Sequence, residues 1–314
     1  MKKLISVLIP AYNEEEVLDM LMERLGKLAA DQPGYNWEFM FVNDGSRDRT
    51  LDIIKQYGEQ DARVSYINLS RNFGKETAMI AGFDHVRGDA VVNIDADLQD
   101  PPELIPQMIK YWEDGYDDVF ARRRSRAGES FVKKLTSQMY YKVLQRSTRI
   151  PIQIDTGDFR LLDRRCIDAL KQFRESERYT KGMFSWIGYK KKEILYDRDP
   201  RAAGTTKWNY SKLANLAIDG ITSFTTAPLR ISTYVGFIVS VVAFVYILYL
   251  LIRPLFGVPT GGGYSSIMAV VLFLGGVQLL SLGVIGEYIG RIFNETKNRP
   301  LYFVEEYHEA HHEE

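Results

Sequence analysis

Short apolar runs alternate with amphipathic stretches along the first part of the chain. Apolar runs of about four to eight residues are typical of buried strands, and apolar residues recurring every three to four positions are typical of helices. The pattern predicts strands at 4–9, 39–42, 64–69, 90–94 and 118–121, and helices at 14–28, 48–57, 76–85 and 102–112. Because strands and helices alternate, we expect an α/β domain with a mostly parallel sheet covered by helices on both faces.

Two long apolar stretches follow, and both lack charged residues. The first covers Ile231 to Ile252, and the second runs roughly from Ser265 to Gly286. Each has at least ~20 residues, enough for a helix to cross ~30 Å of hydrocarbon. Neither has a polar face, which argues against a pair of core helices in a soluble protein. The sequence therefore predicts two C-terminal transmembrane helices. Tyrosines lie near the depths where aromatic belts form: Tyr234, Tyr246, Tyr249, Tyr264 and Tyr288.

Basic residues flank these stretches asymmetrically. Lysines and arginines precede the first stretch and follow the second, whereas the short connection contains only Arg253. The positive-inside rule then predicts that both chain ends are cytoplasmic. The segment Met1 to Glu15 has only a brief apolar run before acidic residues, so we interpret it as a first strand rather than a signal peptide.

Composition excludes several classes of function. The net charge of −1 gives no electrostatic argument for nucleic-acid binding. The single cysteine, Cys166, excludes a disulfide framework and a cysteine-rich metal site. Neither a G-x-G-x-x-G fingerprint nor a P-loop is present, which argues against dinucleotide oxidoreductases and ATPases. The stretch His308 to His312 contains three histidines, and we interpret it as a solvated tail rather than a metal site.

Acidic residues end the predicted fourth strand. Asp95 and Asp97 follow the apolar run and precede the Pro101-Pro102 pair. On an extended tip, carboxylates at i and i+2 lie on the same side unless the chain turns between them. Such a pair can hold a hard divalent cation, which keeps positions for substrate phosphates. From the residues alone, a pair of solvated acids at a loop entry remains the alternative.

Other chemically capable side chains follow the other predicted strands. In a parallel α/β sheet, ligands bind outside the carboxyl ends of the strands. We therefore expect one crevice to collect these residues: Tyr12, Glu14, Asp44, Asp95, Asp97 and Arg122.

Four motifs occur in a fixed order: Pro10 to Glu14, Val42 to Ser46 with Asp48 and Thr50, Asp95 to Glu103, and Thr156 to Arg160. They resemble the family 2 glycosyltransferases with a GT-A fold. Within these, the chain is similar to polyprenyl-phosphate glycosyltransferases, the relatives of dolichol-phosphate mannose synthase, some of which carry two C-terminal membrane spans. The resemblance covers nearly the whole chain.

The resemblance implies a role for each matching position. Pro10, Ala11, Tyr12, Glu14 and Asp44 would line the nucleotide, with Ala96 and Asp95 also on the nucleotide sugar. Asp95, Asp97 and Gln99 would hold Mg²⁺ or Mn²⁺, so Asp97 counts with Asp158 as a catalytic residue. Asp158 would orient the acceptor. The lipid-phosphate and loop set would be Arg122, Lys133, Lys134, Ser137, Arg201 and Lys207.

The implied reaction is inverting transfer of a hexose to a polyprenyl phosphate such as undecaprenyl phosphate. Asn43 stands where dolichol-type members often have Asp, which leaves the base open, and we favour a UDP-sugar. Glucose is the first expectation, with mannose and an amino-arabinose as alternatives. A processive polysaccharide synthase is disfavoured because no Gln-x-x-Arg-Trp motif is present. A non-catalytic nucleotide-sugar sensor remains a rival from another class.

The expected organisation has four parts: a cytoplasmic catalytic domain at 1–208, amphipathic juxtamembrane helices at 209–229, two transmembrane helices within 230–290 and a cytoplasmic tail at 291–314. The stretch 209–226 either lies in the membrane interface or packs on the soluble domain. The resemblance places the protein in a bacterial plasma membrane. Glycines at 275, 276, 283, 286 and 290 permit close helix contact, so a homo-oligomer is also expected.

Overall fold

A computed structural model describes residues 2–124, 156–176, 178, 180–197, 225–252 and 263–310. Eight strands in this part of the chain form one sheet. Their bounds in chain order are β1 Leu4–Ala11, β2 Asn36–Asn43, β3 Val64–Leu69, β4 Ala90–Asn93, β5 Asp118–Arg123, β6 Thr156–Asp163, β7 Lys191–Tyr196 and β8 Val304–His308. The spatial order is β7-β5-β6-β4-β1-β2-β3-β8.

Eight α-helices accompany the strands in the described residues. They are α1 Leu18–Asp31, α2 Thr50–Gln60, α3 Lys75–His85, α4 Ile105–Glu113, α5 Arg164–Leu170, α6 Thr180–Trp186, α7 Ala227–Ile252 and α8 Tyr264–Thr296. A 3₁₀ turn, Pro102–Leu104, leads into α4. Proline is tolerated there because the first turn of a helix does not need its N–H groups.

The two faces of the sheet bury separate clusters. One cluster packs alternate residues of β1, including Ile5 and Val7, against α1, α2 and α4. The other packs Leu8 and residues of β2 and β3 against α3, α5 and α6. Side chains alternate between faces along a strand, so every strand of the centre must be apolar on both sides. The expectation of a mostly parallel sheet with helices on both faces is confirmed.

Helix α3 lies unusually close to the sheet. A Cβ atom at Gly82 would overlap the Leu8 side chain of β1, so only glycine allows this approach. The contact fixes where the first turn of α3 stands relative to the end of β1.

Strand direction departs from parallel at two places. The β1–β2, β2–β3, β1–β4 and β5–β7 pairs are parallel. Strand β6 is antiparallel to both β4 and β5, and β8 is antiparallel to β3. Asn93 pairs with Arg160, and Arg122 pairs with Thr156. The beginning of β6 therefore lies at the same edge as the carboxyl ends of β4 and β5.

The interpretation of His308 and its successors as a solvated tail is wrong for the described residues. His308 closes β8, and its ring stacks on Tyr66 at a centroid distance of 5.2 Å. Ala310 is only 3% exposed, and its N–H donates to Ser65 Oγ. The histidines made this segment look like a solvated tail. It is instead an edge strand, because β3 supplies its hydrogen-bond partners.

Helices α7 and α8 are long, apolar and unburied. The two candidate spans, Ala227–Tyr246 and Ile267–Thr296, have mean hydropathies of 1.7 and 2.3, and 0% of either window is buried. The helices therefore differ from the core helices of a soluble domain. The Tyr288 hydroxyl donates to the Thr225 carbonyl, which ties α8 to the start of α7. The expected membrane hairpin matches this pair, whereas most of the amphipathic stretch 209–226 lies outside the described residues.

Candidate active site

The four sequence motifs meet at one edge of the sheet. The motif Pro10 to Glu14 leaves β1, Asn43 to Ser46 leaves β2, and Asp95 follows β4. Because β6 runs the other way, its first residues, Thr156 to Asp158, stand at this edge as well. The predicted crevice outside the strand ends is therefore the place where these segments lie together.

The loops after β1 and β2 are tied to each other by hydrogen bonds. The Asn13 N–H donates to Ser46 Oγ at 3.0 Å, and the Arg47 N–H donates to Asn13 Oδ1 at 2.8 Å. The Glu14 N–H donates to Thr50 Oγ1 at 2.8 Å. Ala11 is buried, whereas Tyr12 remains 37% exposed. These contacts fix the backbone and leave the Tyr12 ring on the surface of the crevice.

Asp44 organises the loop after β3. Its two carboxylate oxygens accept the N–H groups of Phe73 and Gly74 at 2.7 and 2.9 Å. Burial raises the pKa of Asp44, while these two amide hydrogen bonds oppose that rise. Gly45 has φ +64°, and a Cβ there would lie 2.5 Å from the backbone of Arg71 and Asn72. The Asp44-Gly45 pair is thus required by a close approach of two loops, beyond any nucleotide contact.

Lys75 stands between two of the predicted acidic residues. Its Nζ lies 2.6 Å from Asp95 Oδ1 and 2.6 Å from Asp158 Oδ2. Burial opposes the charge of Lys75, but Asp95 and Asp158 raise its pKa above the ordinary value. Burial also opposes ionisation of Asp158, yet Lys75 and Lys181 hold the pKa of that carboxyl below its usual range. Lys75 and Asp158 are therefore both charged at neutral pH.

Glu76, the residue after Lys75, has a raised pKa, whereas the pKa of Asp158 is lowered. Burial raises the pKa of Glu76 to about 7, and the negative charge of Asp158 adds to the rise. Its Oε2 accepts the Thr180 N–H at 2.8 Å, joining α3 to α6. We call the group formed by Asp95, Asp97, Asp158 and Glu76 the acidic centre. Within it, Asp158 is held ionised and Glu76 binds a proton near neutral pH.

The chain turns between Asp95 and Asp97. Ala96 and Asp97 form a turn rather than an extended tip, and Leu98 has φ 58°. The Gln99 N–H donates to Asp97 Oδ1 at 3.2 Å, the local hydrogen bond by which Asp side chains stabilise turns. Asp95 therefore precedes a turn and Asp97 lies within it, so the two residues do not form an extended strand tip.

Other acids of the same motif are structural. Asp100 is 2% exposed and accepts the Tyr196 hydroxyl of β7. Glu103 receives two hydrogen bonds from Arg24 of α1. These contacts anchor the loop that carries Asp95 and Asp97 to β7 and to α1.

The residues at the crevice fit a divalent cation of the magnesium type. Asp95 and Asp97 offer carboxylate oxygens, and Gln99 offers an amide oxygen, which are the ligands such ions prefer. Asp158 Oδ1 is buried without a hydrogen-bond partner among the described residues. Within that same part of the chain, no three His, Cys, Asp or Glu side chains are grouped so that they could hold a metal ion by themselves. The set suits an ion that keeps substrate phosphates as further ligands.

Arg160 of the fourth motif supports the site from beneath. Its guanidinium lies 3.1 Å from the Asp118 carboxylate, with both side chains 0% exposed, and 3.7 Å from the Phe184 ring. The buried pair joins β6 to β5 below Asp158. Breaking such a pair by removing one partner typically costs ~3–5 kcal/mol.

The predicted lipid-phosphate set is described only at Arg122. Arg122 lies at the end of β5 and forms an ion pair with Glu193 at 3.3 Å, with 42% of its side chain exposed. The remaining predicted members lie outside the described residues: Lys133, Lys134, Ser137, Arg201 and Lys207. Their roles stay predictions.

Sequence reasoning missed Lys75 and Glu76 as members of the site. The segment that precedes α3 leaves β3 at the same sheet edge as the other motifs. The rule that ligands bind at the carboxyl ends of parallel strands applies to β3 as well, so it could have predicted that this segment belongs to the site.

Comparison with known proteins identifies the family. Residues 6–170 match the model of glycosyl transferase family 2, and residues 227–292 match the GtrB C-terminal hairpin. The chain belongs to glycosyl transferase family 2. The confirmed expectations are thus a glycosyltransferase with a family 2 domain, followed by two apolar helices.

Relatives of this glycosyltransferase align over nearly its whole length. An uncharacterized glycosyltransferase of Synechocystis is 50% identical over 96% of this chain and 94% of the relative. The SfII prophage-derived bactoprenol glucosyl transferase of Shigella flexneri is 43% identical over 97% of this chain and 98% of its own. Among solved structures, mannosyl-3-phosphoglycerate synthase from Rubrobacter xylanophilus is 17% identical, with a TM-score of 0.47 over 69% of this chain and 71% of that one.

Proposed function

We propose that this glycosyltransferase moves glucose from UDP-glucose to a polyprenyl phosphate, such as undecaprenyl phosphate, at the cytoplasmic face of a bacterial membrane. The observation that carries the proposal is the similarity, over both the sheet domain and the helical hairpin, to relatives named bactoprenol glucosyl transferases. That name states both the sugar and the lipid.

The reaction needs one bond to form and one to break at the anomeric carbon. An oxygen of the acceptor phosphate attacks that carbon, and the bond from the carbon to the donor diphosphate breaks. UDP leaves with the electron pair, and the products are glucosyl polyprenyl phosphate and UDP. A single in-line displacement inverts the configuration at the anomeric carbon.

The polar residues that follow β4 would serve the leaving diphosphate. Asp95 and Asp97, with Gln99, would hold Mg²⁺ or Mn²⁺. When bound, such an ion neutralises the charge that develops on the leaving group. Tyr12 and Asp44 stand on the two loops joined at Ser46, and these loops would receive the nucleotide.

Asp158 would orient the acceptor rather than remove a proton. The second pKa of a phosphate monoester is near ~6, so the acceptor is already mostly dianionic at neutral pH. A strong general base is then hardly needed. Lys75 keeps Asp158 ionised and fixes its position, and the arginine and lysine residues predicted from the sequence would bind the phosphate oxygens.

The helical hairpin suits the position of a lipid acceptor. A polyprenyl chain stays in the bilayer, so its phosphate lies at the level of the lipid headgroups. An enzyme for this acceptor must hold its active site at the membrane surface. The two unburied apolar helices, α7 and α8, lie between β7 and β8 in the chain and suit this task.

The test is transfer of radiolabelled glucose from UDP-glucose to undecaprenyl phosphate by the purified full-length enzyme with Mg²⁺ or Mn²⁺. Label is expected in a chloroform-soluble product and absent after chelation with EDTA. A panel of UDP- and GDP-sugars run in parallel tests the sugar and the base. Failure of every donor to label lipid would contradict the proposal and favour a sensor.

Asp97→Asn supplies the control for the acidic centre. The substitution preserves shape and the hydrogen bond to the Gln99 N–H but removes the charge. Transfer should be abolished, and binding of UDP-glucose should lose its dependence on the metal. A fully active Asp97→Asn enzyme would show that Asp97 does not hold the ion.

A further inference from the structure

The segment after the apolar hairpin returns to the sheet at once. Helix α8 ends at Thr296, and β8 begins at Val304. Between them, Leu301 and Tyr302 pack against the cluster beneath α3, and the Tyr302 hydroxyl donates to Asp84. The hairpin is therefore attached to the sheet domain through the segment that follows α8.

Strand β8 contains a bulge at the edge of the site. Asn68 pairs with Glu306, and Leu69 pairs with Val304, so Glu305 is an extra residue in the ladder. A bulge changes the direction of a side chain, and bulges are frequent beside active sites. The Glu305 carboxylate accepts a hydrogen bond from Asn68 Nδ2 at 3.0 Å.

The hydrogen bonds continue from Asn68 into the motif loops. Asn68 Oδ1 accepts from Asn43 Nδ2 at 2.7 Å, and Asn43 Oδ1 accepts from the Ser46 N–H at 3.3 Å. Ser46 Oγ in turn accepts from the Asn13 N–H. Asn43 and Asn68 are 1% and 6% exposed. A continuous path thus joins β8 to the loop after β1.

Glu305 sets the direction of this path at one end, and the Ser46 N–H sets the same direction at the other. An ionised carboxylate can only accept, so Asn68 must turn its amide nitrogen toward Glu305 and its oxygen toward Asn43. Asn43 must then donate to Asn68 and present its own oxygen to the Ser46 N–H. Without Glu305, only the Ser46 N–H holds this direction, and a reversed Asn68 amide would leave Asn43 mismatched with one of its two partners.

We propose that Glu305, Asn68 and Asn43 are positioning residues for the donor nucleotide, so that β8 is part of the donor site. The inference rests on the proposed function, because it assigns Tyr12 and Asp44 to the nucleotide. Neither family model reaches β8, since the matches end at residues 170 and 292. Asn43, which differs from the dolichol-type pattern, acts within the loop rather than on the base.

Glu306 provides a matched control. It is the next residue of β8, but its carboxylate accepts the Tyr66 hydroxyl at 2.8 Å and pairs with Lys55. These contacts stabilise the edge of the sheet and do not continue to Asn43. Glu305→Ala and Glu306→Ala therefore remove the same functional group from neighbouring positions with different connections.

The experiment compares Glu305→Ala, Glu305→Gln, Asn68→Ala and Glu306→Ala in the full-length enzyme. We measure KM for UDP-glucose, KM for undecaprenyl phosphate, kcat and melting temperature. Glu305→Ala and Asn68→Ala should raise KM for UDP-glucose about two- to tenfold, the effect of one net hydrogen bond. KM for the lipid and kcat should change little. Glu305→Gln, which can still accept, should restore the donor KM, and Glu306→Ala should lower only the melting temperature.

Hydrogen exchange tests the same path without activity. Peptides that cover residues 43–47 should exchange faster in Glu305→Ala than in Glu306→Ala. Equal exchange in the two variants, or an equal rise of the donor KM, would overturn the inference and leave β8 as a purely structural strand. If the unsubstituted enzyme transfers no glucose while exchange differs as expected, the proposed function fails and the positioning of the loop stands.

Discussion

At the scale of single residues, the acidic centre depends on Lys75. Two carboxylates, Asp95 and Asp158, come from segments far apart in the sequence and meet at one ammonium group. Like charges brought together in a partly buried site repel each other, and the lysine cancels that repulsion. It also fixes the orientation of the Asp158 carboxylate, because it donates a hydrogen bond to Oδ2 of that group.

Lys75→Met should therefore reduce kcat. Charge-assisted hydrogen bonds contribute about 1.5–3 kcal/mol, which corresponds to roughly 10- to 100-fold in rate. Lys75→Arg keeps the charge and should retain part of the activity. The measurements are kcat for lipid glucosylation and the melting temperature of each variant.

Lys181→Met is the matched control for Lys75. Lys181 also lowers the pKa of Asp158, but it does so without a hydrogen bond to that carboxylate. Its replacement should reduce kcat less than Lys75→Met does. If Lys75→Met keeps kcat within twofold of the unsubstituted enzyme, Lys75 has no positioning role in catalysis.

At the scale of elements, α3 connects the site to the rest of the domain. The close approach at Gly82 sets the helix on β1. The first turn of the helix then places Lys75 beside Asp95 and Asp158. It also places Glu76 at the start of α6. A buried Glu76 with a pKa near neutrality makes this junction sensitive to pH.

Glu76 should make the folded state less stable as the pH rises. Its pKa is 4.5 in the unfolded chain and about 7 in the folded protein. Between these values the folded state binds more protons than the unfolded state, so the free energy of unfolding falls as the pH increases. Glu76→Gln stays neutral, and its amide oxygen can still accept the Thr180 N–H. The variant should equal the parent near pH 5 and melt at a higher temperature near pH 8. A difference in melting temperature that is the same at both pH values would contradict this assignment.

The elements also show how far the sequence predicts the fold. The period of apolar residues located β1 to β5 and α1 to α4 within a few residues, and β3 at its observed bounds. It did not predict the reversed direction of β6 or the pairing of β8. Strand direction depends on connections through residues far away, and an edge strand with Glu305, Glu306 and His308 has too few apolar residues to be recognised.

At the scale of the whole molecule, the end of the apolar hairpin is attached to the sheet domain. The Ser176 N–H donates to Glu295 of α8, and β8 joins the sheet immediately afterwards. This arrangement suits an enzyme that must reach a lipid phosphate. The orientation of the hairpin in the membrane is still a prediction from basic residues.

A cysteine experiment tests that orientation. Cys166 is 0% exposed and burial raises its pKa, so the native thiol should not react until the protein unfolds. In a Cys166→Ala background, Thr260→Cys in the connection between the helices should react with a membrane-impermeant maleimide in intact spheroplasts. Ser176→Cys, on the sheet domain, should react only after lysis. Labelling of Ser176→Cys from outside would reverse the assigned topology.

The sequence by itself determined the classes of element, the two candidate spans and the motif residues. These depend on local periodicity and on short segments such as Asp95 to Asp97, which can be recognised without knowing their neighbours. The order of these motifs resembles that of family 2 glycosyltransferases, and this resemblance predicted the family and most of the side chains at the edge of the sheet.

Only the tertiary structure decided how those side chains are held. The pairing of Lys75 with Asp158, the burial of Arg160 against Asp118 and the path from Glu305 to Ser46 each join segments distant in the sequence. Such contacts depend on strand order, register and a bulge, which are set by packing of the whole sheet. Local patterns contain no information about which distant charge or amide will become a partner, and that is why these residues emerge only from the fold.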